Sequence, residues 1–179
     1  MKRRSINVSD YANDITKALS EGVLLTTKAE QVNTMVIGWG TLGINWNLPV
    51  FAAYVRGSRF TASQLEKNPQ FTVNIPIGES DKRIIAICGS KSGRDTDKIK
   101  EAGLTLVEGE AVDVPAIREF PLTLECRVRY AQKQDLSALD AELRTAFYPE
   151  PSPGMKPTAG SDAHITYFGE IVNAYILED

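Results

Sequence analysis

The chain has 179 residues, of which 42% are hydrophobic and 24% charged, with a formal net charge of −3. That is enough chain to bury a core without disulfide or metal staples, and too acidic a balance for the basic footprint of a nucleic-acid binder. One histidine (His164) and two cysteines (Cys88 and Cys126) cannot fill a four-coordinate zinc site, and HExxH and CxxC are absent, so no metal is expected.

At the start, Lys2, Arg3 and Arg4 are followed by the polar run SINVSDYANDIT, which reads as a solvated terminus rather than a signal sequence. No run of about 18 apolar residues occurs, so no membrane span is expected. Two cysteines without framework spacing suit a reducing, cytoplasmic interior.

Residues 10–21 predict an amphipathic helix: Asp10 offers a cap, Tyr11, Ile15, Ala18 and Leu19 recur at helical spacing, and Gly22 closes it. VLLTT then reads as a strand, EQVN as a turn and TMVIGWG as a second strand. GTLGINWNLP, rich in glycine and bounded by Pro49, reads as a loop before the strand FAAYV. Thr61 and Gln64 have capping-box spacing, so a helix is expected to begin at Thr61 and end at Asn68-Pro69. FTVNIP is a strand, and residues 80–87 and 95–102 read as helices, the second capped by Asp95 and closed by Gly103. LTLVEGEAV and PLTLECRVRYAQ alternate like strands, residues 135–147 read as a helix and YPEPSPGMKPTAG as a loop. AHITYFGEIVNAYIL ends the chain as a long strand or a hairpin. Many strands with short helices and no regular β-α-β alternation favour an antiparallel barrel with peripheral helices.

Four segments are candidates for chemistry. A helix starting at Thr61 would aim its first N–H groups toward Ser58 and Arg59, a favourable site for a phosphate dianion; alternatively Thr61 merely caps and Arg59 is solvated. Asn33 and Thr34 stand at a turn-to-strand junction. Trp39 lies between Gly38 and Gly40, as where backbone approaches something flat, although Trp39 and Trp46 also suit a core. GSKSGRD lacks P-loop spacing and reads as a flexible loop, with Lys98 on the next helix facing water or an anionic group and Cys88 as a small apolar residue. His164, beside Asp162, is either tethered to that carboxylate or the one imidazole available to a ligand.

NTMVIGWGTLGINWNLPVFAAYVRGSRFT, FTVNIP, SGRDTDK, LECRV and HITYFGEIV, in this order, resemble the flavin reductase-like FMN-binding split barrels, most closely the flavoredoxin group. The resemblance runs from about Gly22 to the C-terminus. It implies a six-stranded antiparallel Greek-key split barrel, one domain over residues 1–179 with a helical extension at 1–21, and a homodimer with FMN near the subunit interface. Asn33, Thr34 and Met35 match the first flavin-contacting motif, and Trp39, followed by Gly40 and Thr41, an aromatic beside the isoalloxazine. Ser58, Arg59 and Thr61 match the segment near the ribityl phosphate, Lys98 a lysine near the flavin, and His164 a flavin or nicotinamide contact.

INWNLP replaces the serine-and-double-proline run of many NAD(P)H:flavin reductases, which favours tightly held FMN over flavin release. No catalytic side chain is required, because the flavin carries the redox step. The implied function is an NAD(P)H-dependent flavin reductase-like oxidoreductase with an unidentified acceptor. The alternatives are an FMN electron carrier that does not use nicotinamide nucleotides, or a barrel for another ligand.

Overall fold

The computed structural model describes residues 2–149 and 161–178. Among the described residues there are ten strands: β1 Lys2–Ser5, β2 Val23–Lys28, β3 Val32–Ile37, β4 Gly40–Asn45, β5 Leu48–Arg56, β6 Gln70–Ile75, β7 Leu106–Val107, β8 Ala116–Ile117, β9 Leu122–Lys133 and β10 His164–Glu178. Five α-helices accompany them: α1 Ala12–Glu21, α2 Phe60–Lys67, α3 Lys82–Ser90, α4 Lys98–Ala102 and α5 Ala141–Phe147.

One antiparallel sheet runs in the order β3-β2-β6-β9-β10-β5-β4, with β1 added to β10, so the main sheet has eight strands rather than six. Its two end strands, β3 and β4, are consecutive in sequence and joined by Gly38 and Trp39 alone. A connection that short forces the sheet to curl until its ends meet, which is a barrel. No ladder joins β3 to β4 or β5, so the barrel is split along that seam. Register bulges between Phe168 and Gly169 and between Ile171 and Asn173 let the long β10 bend around the barrel. Gly169 is required there, since a Cβ would meet the Phe71 ring at 2.5 Å.

Strand β2 is apolar on both faces because each face meets a different core. Val23 and Leu25 point into the barrel with Phe51, Phe71 and Leu124, and α1 contributes Ile15 and Leu19 to the same cluster. Leu24 points outward under α3 and α4, against Ile84, Cys88 and Ala102. These two helices therefore cover the outer face beside β3. A buried polar cluster completes the wall: Asn74 donates to the Thr26 and Thr72 hydroxyls, each at 3.1 Å, and accepts from the Ile117 N–H at 3.0 Å.

Several local expectations are corrected. GTLGINWNLP is not a loop but a hairpin, β4–β5, turned on Trp46 and Asn47, which both have positive φ (53° and 60°) as a two-residue twisted turn demands. Asn7, not Asp10, caps the first helical turn, a short 3-10 segment at Val8–Tyr11. Helix α3 is shifted to Lys82–Ser90 under an Asp81 cap, and α4 is capped by Asp97 rather than Asp95. LTLVEGEAV yields only the two-residue β7, because Glu125 holds the following loop by accepting from the Glu110 and Ala111 N–H groups. Of residues 135–147, α5 takes only the last turns, after Asp140. The final segment is one strand, and most of the proline-rich loop lies outside the described residues.

Candidate functional site

The α2 N-terminus, β3 and the α3–α4 connection enclose a cleft with two lobes. One, about 330 Å³, is bordered by Asn33, Ser58, Arg59, Thr61, Arg94 and Lys98. The other, about 210 Å³, lies where β5 runs past the start of β4 and faces β3 across the seam; Met35, Trp39, Tyr54, Arg56 and His164 border it. Met35 and Arg59 belong to both lobes.

The larger lobe is cationic. Arg59, Arg94 and Lys98 border it against one acid, Asp95, while Lys91 at its edge is paired with Glu101, in a chain whose overall charge is negative. Arg94 is held in place: its guanidinium donates to the Ser58 carbonyl at 2.9 Å and lies over the Phe60 ring. Lys98 is 4% exposed and donates to the Cys88 carbonyl at 3.3 Å. Burial, offset in part by the nearby Cys88 and reinforced by Arg59, lowers its pKa. Burial pushes the Cys88 thiol up, with the nearby Lys98 opposing.

Helix α2 begins one residue earlier than expected, and Thr61 does not cap it. Arg59 occupies the cap position, and no side chain closes the end. Thr61 instead accepts from the Asn33 amide at 3.0 Å. Gln64 is drawn away from the helix start, accepting from Thr27 and donating to the Gln31 carbonyl. The capping box is therefore absent, and the first turn of α2 stays open toward the lobe.

The smaller lobe is aromatic. Trp39 is 40% exposed, with its ring centroid 4.9 Å from that of His164 and 5.2 Å from that of Phe147. His164 is not tethered to Asp162; its Nδ1 lies 2.6 Å from the Tyr148 hydroxyl. Asp162 instead accepts from the Ser58 N–H at 2.8 Å. Burial is the main cause that pulls the His164 pKa to about 4, with Arg56 and Arg59 adding to it and Asp162 opposing. Arg59 thus exerts its charge on Lys98 in one lobe and His164 in the other.

The structure brings Asn33, Met35, Trp39, Ser58, Arg59, Thr61, Lys98 and His164 to this cleft. It does not bring Thr34, Gly40 or Thr41. Thr34 is fully buried and donates to the Leu25 carbonyl at 3.3 Å, within the polar cluster. Gly40 admits the Phe51 ring, which a Cβ would meet at 2.5 Å, so its close approach is to the core. Thr41 pairs with the Tyr54 hydroxyl at 3.0 Å. Neither tryptophan is a core residue, since Trp46 is 50% exposed. Arg94 is a lobe residue that the flexible-loop reading of GSKSGRD passed over, its one local signal being a cation beside a glycine; Arg56 and Tyr148 carried no local pattern.

A split antiparallel barrel with a cationic and an aromatic lobe side by side defines the class of flavin-binding split barrels, whose cofactor is FMN. Residues 17–179 match the family model "Flavin reductase like domain", and the chain belongs to that family. An uncharacterized protein of Archaeoglobus fulgidus is 31% identical over 128 residues, covering 72% of this chain and 68% of the relative. Flavoredoxin of Methanosarcina acetivorans has a similar structure, with a TM-score of 0.62 and 26% identity over 88% of this chain and 68% of its own. The FMN-binding domain of a flavin reductases-like enzyme from Shewanella baltica shares the fold, with a TM-score of 0.64 and 14% identity over 98% of this chain and 77% of its own.

The residues present fit FMN. The buried Asn33 Oδ1 has no partner among the described residues, as suits an atom kept for a ligand donor. Cations, hydroxyls and an open helix start offer what a phosphate dianion needs, and Met35 and Trp39 flank a lobe suited to a flat ring.

Proposed function

We propose that this chain holds FMN across the two lobes and works as an NAD(P)H-dependent, flavin reductase-like oxidoreductase that passes electrons to an acceptor yet to be identified. The observation that carries this is the junction at Arg59 of an anion site with an aromatic slot, the two chemistries that FMN combines. When bound, the flavin supplies the redox chemistry. Arg59, Arg94 and Lys98 neutralise its phosphate, with the Ser58 and Thr61 hydroxyls and the α2 N-terminus completing the site. Met35 and Trp39 hold the ring, and the partial exposure of Trp39 leaves room beside it for a nicotinamide. His164 stays neutral and offers a hydrogen bond rather than a charge.

Purified protein is expected to be yellow or to take up added FMN, and anaerobic NADH or NADPH is expected to bleach it. A colourless protein indifferent to FMN would overturn the proposal. A second reading, an FMN electron carrier that does not use nicotinamide nucleotides, is supported by the likeness to flavoredoxin; yellow colour that persists under both nucleotides would select it.

We further infer a cytoplasmic homodimer built from one domain per chain. The exposed Trp46 and Tyr130 form, with Phe168, an aromatic patch suited to a second copy. Both cysteines are free and buried, as suits a reducing compartment, and no described helix is long and apolar enough to cross a membrane. Sedimentation is expected to show a dimer that Trp46→Glu splits; a wild-type monomer would remove the inference.

A further inference from the structure

The chain's single imidazole sits at the end of a hydrogen-bonded series that leads away from the cleft. His164 Nδ1 is 2.6 Å from the Tyr148 hydroxyl, and that hydroxyl donates to Gln134 Oε1 at 2.8 Å. A phenol has one proton to give. With the Gln134 carboxamide oxygen turned toward the phenol, the hydroxyl proton goes to that oxygen, and the phenol oxygen meets the imidazole as the acceptor of an Nδ1–H. Nδ1 is thereby engaged, and the ring nitrogen left for a ligand is Nε2.

We propose that Tyr148 and Gln134 are positioning residues that fix His164 as its Nδ1–H tautomer, leaving the Nε2 lone pair to accept a hydrogen bond from a ligand N–H group. The chemical class it would take is a carboxamide or imide donor, present in both a nicotinamide and a flavin ring. This use rests on the proposed function; the tautomer itself does not.

The surroundings favour a single proton on the ring. Arg56, opposite His164 on β5, lies over the Tyr148 ring at 5.1 Å and donates to the Asp162 and Phe147 carbonyls at 2.7 and 3.1 Å. It therefore pins the backbone on both sides of the imidazole and sets a fixed positive charge beside it. Arg59, at the start of α2, adds a second. Asp162 is the opposing charge, and its Oδ2 is engaged by the Ser58 N–H. Trp39, on the remaining side, brings a ring but no charge. Burial raises the Tyr148 pKa, so the phenol keeps its proton.

Because His164 is the only histidine, 15N-histidine labelling of the full chain gives the two nitrogens of one ring without assignment. In flavin-free wild type near neutral pH, Nδ1 is expected to be pyrrole-type and Nε2 pyridine-type. Tyr148→Phe and Gln134→Leu are each expected to shift signal toward the opposite tautomer, and Gln134→Glu, which keeps an acceptor, is expected to preserve the wild-type pattern. An Nε2–H or doubly protonated ring in wild type would overturn the proposal, as would Tyr148→Phe spectra identical to wild type. Wild type alone decides if a variant does not fold. Failure of the protein to take up FMN would defeat the proposed function and leave this measurement as decisive as before.

Discussion

The side-chain amide of Asn33 donates to the Thr61 hydroxyl at 3.0 Å, locking the start of β3 to the first turn of α2. One bond thus holds the two walls of the cationic lobe at fixed spacing, and it leaves the Asn33 carbonyl oxygen without a protein partner among the described residues. Thr61→Val keeps the shape and removes the acceptor. Stranding the buried amide costs about 1–3 kcal/mol, so a fall of the urea midpoint and a roughly tenfold or greater loss of FMN affinity are expected by fluorescence titration.

The two lobes are expected to separate by ligand. Arg59→Ala or Arg94→Ala removes a charge-assisted contact worth about 1.5–3 kcal/mol, and only FMN, not riboflavin, carries the phosphate that feels it. FMN affinity is expected to drop by roughly 10- to 100-fold while riboflavin changes little. Equal weakening of both ligands would place the phosphate elsewhere. Trp39→Ala is expected to weaken both alike, since both carry the ring.

Gly93 is a steric gauge of the same lobe. A Cβ there would lie 2.1 Å from Asn33 Oδ1 and 3.0 Å from the Phe60 ring, neither of which is the end of a long flexible chain. Gly93→Ala is expected to cost about 1–3 kcal/mol and to reduce FMN binding. A variant with wild-type melting and affinity would show that the loop yields freely.

Acidification supplies a further test. His164 has a folded pKa near 4, below the 6.5 of an unperturbed imidazole, so the unfolded chain binds its proton first. Stability is therefore complete above about pH 6.5 and falls as pH drops from there toward about 4. The expected loss is at most about 2 kcal/mol by pH 5. Urea midpoints measured along that window should slope less in His164→Gln, and an unchanged slope would assign the acid sensitivity to other groups.

The barrel was legible where local pattern and tertiary demand agree. VLLTT reads as strand because each of its faces meets an apolar layer, and Gly22 reads as a helix end because its φ of 104° favours glycine. The β4–β5 hairpin was hidden because Trp46-Asn47 lacks the glycine that announces such turns. The Thr61–Gln64 pair deceived because both side chains have distant partners, Asn33 for one and Thr27 for the other, which no local spacing reveals. Thr34 likewise matched a flavin motif while its hydroxyl points into the wall. The Trp39–His164–Tyr148 grouping depends on β10 returning beside β5, a consequence of topology alone.

The seam between β3 and β5 also sets the mechanical cost of admitting a ligand. Elsewhere around the barrel, prising two strands apart breaks a ladder of backbone bonds, but at Met35 and Tyr54 none exists to break. A flat ring can wedge into this gap while every register in the sheet is preserved. Closure along this line therefore falls to side chains such as the Asn33–Thr61 pair rather than to backbone pairing.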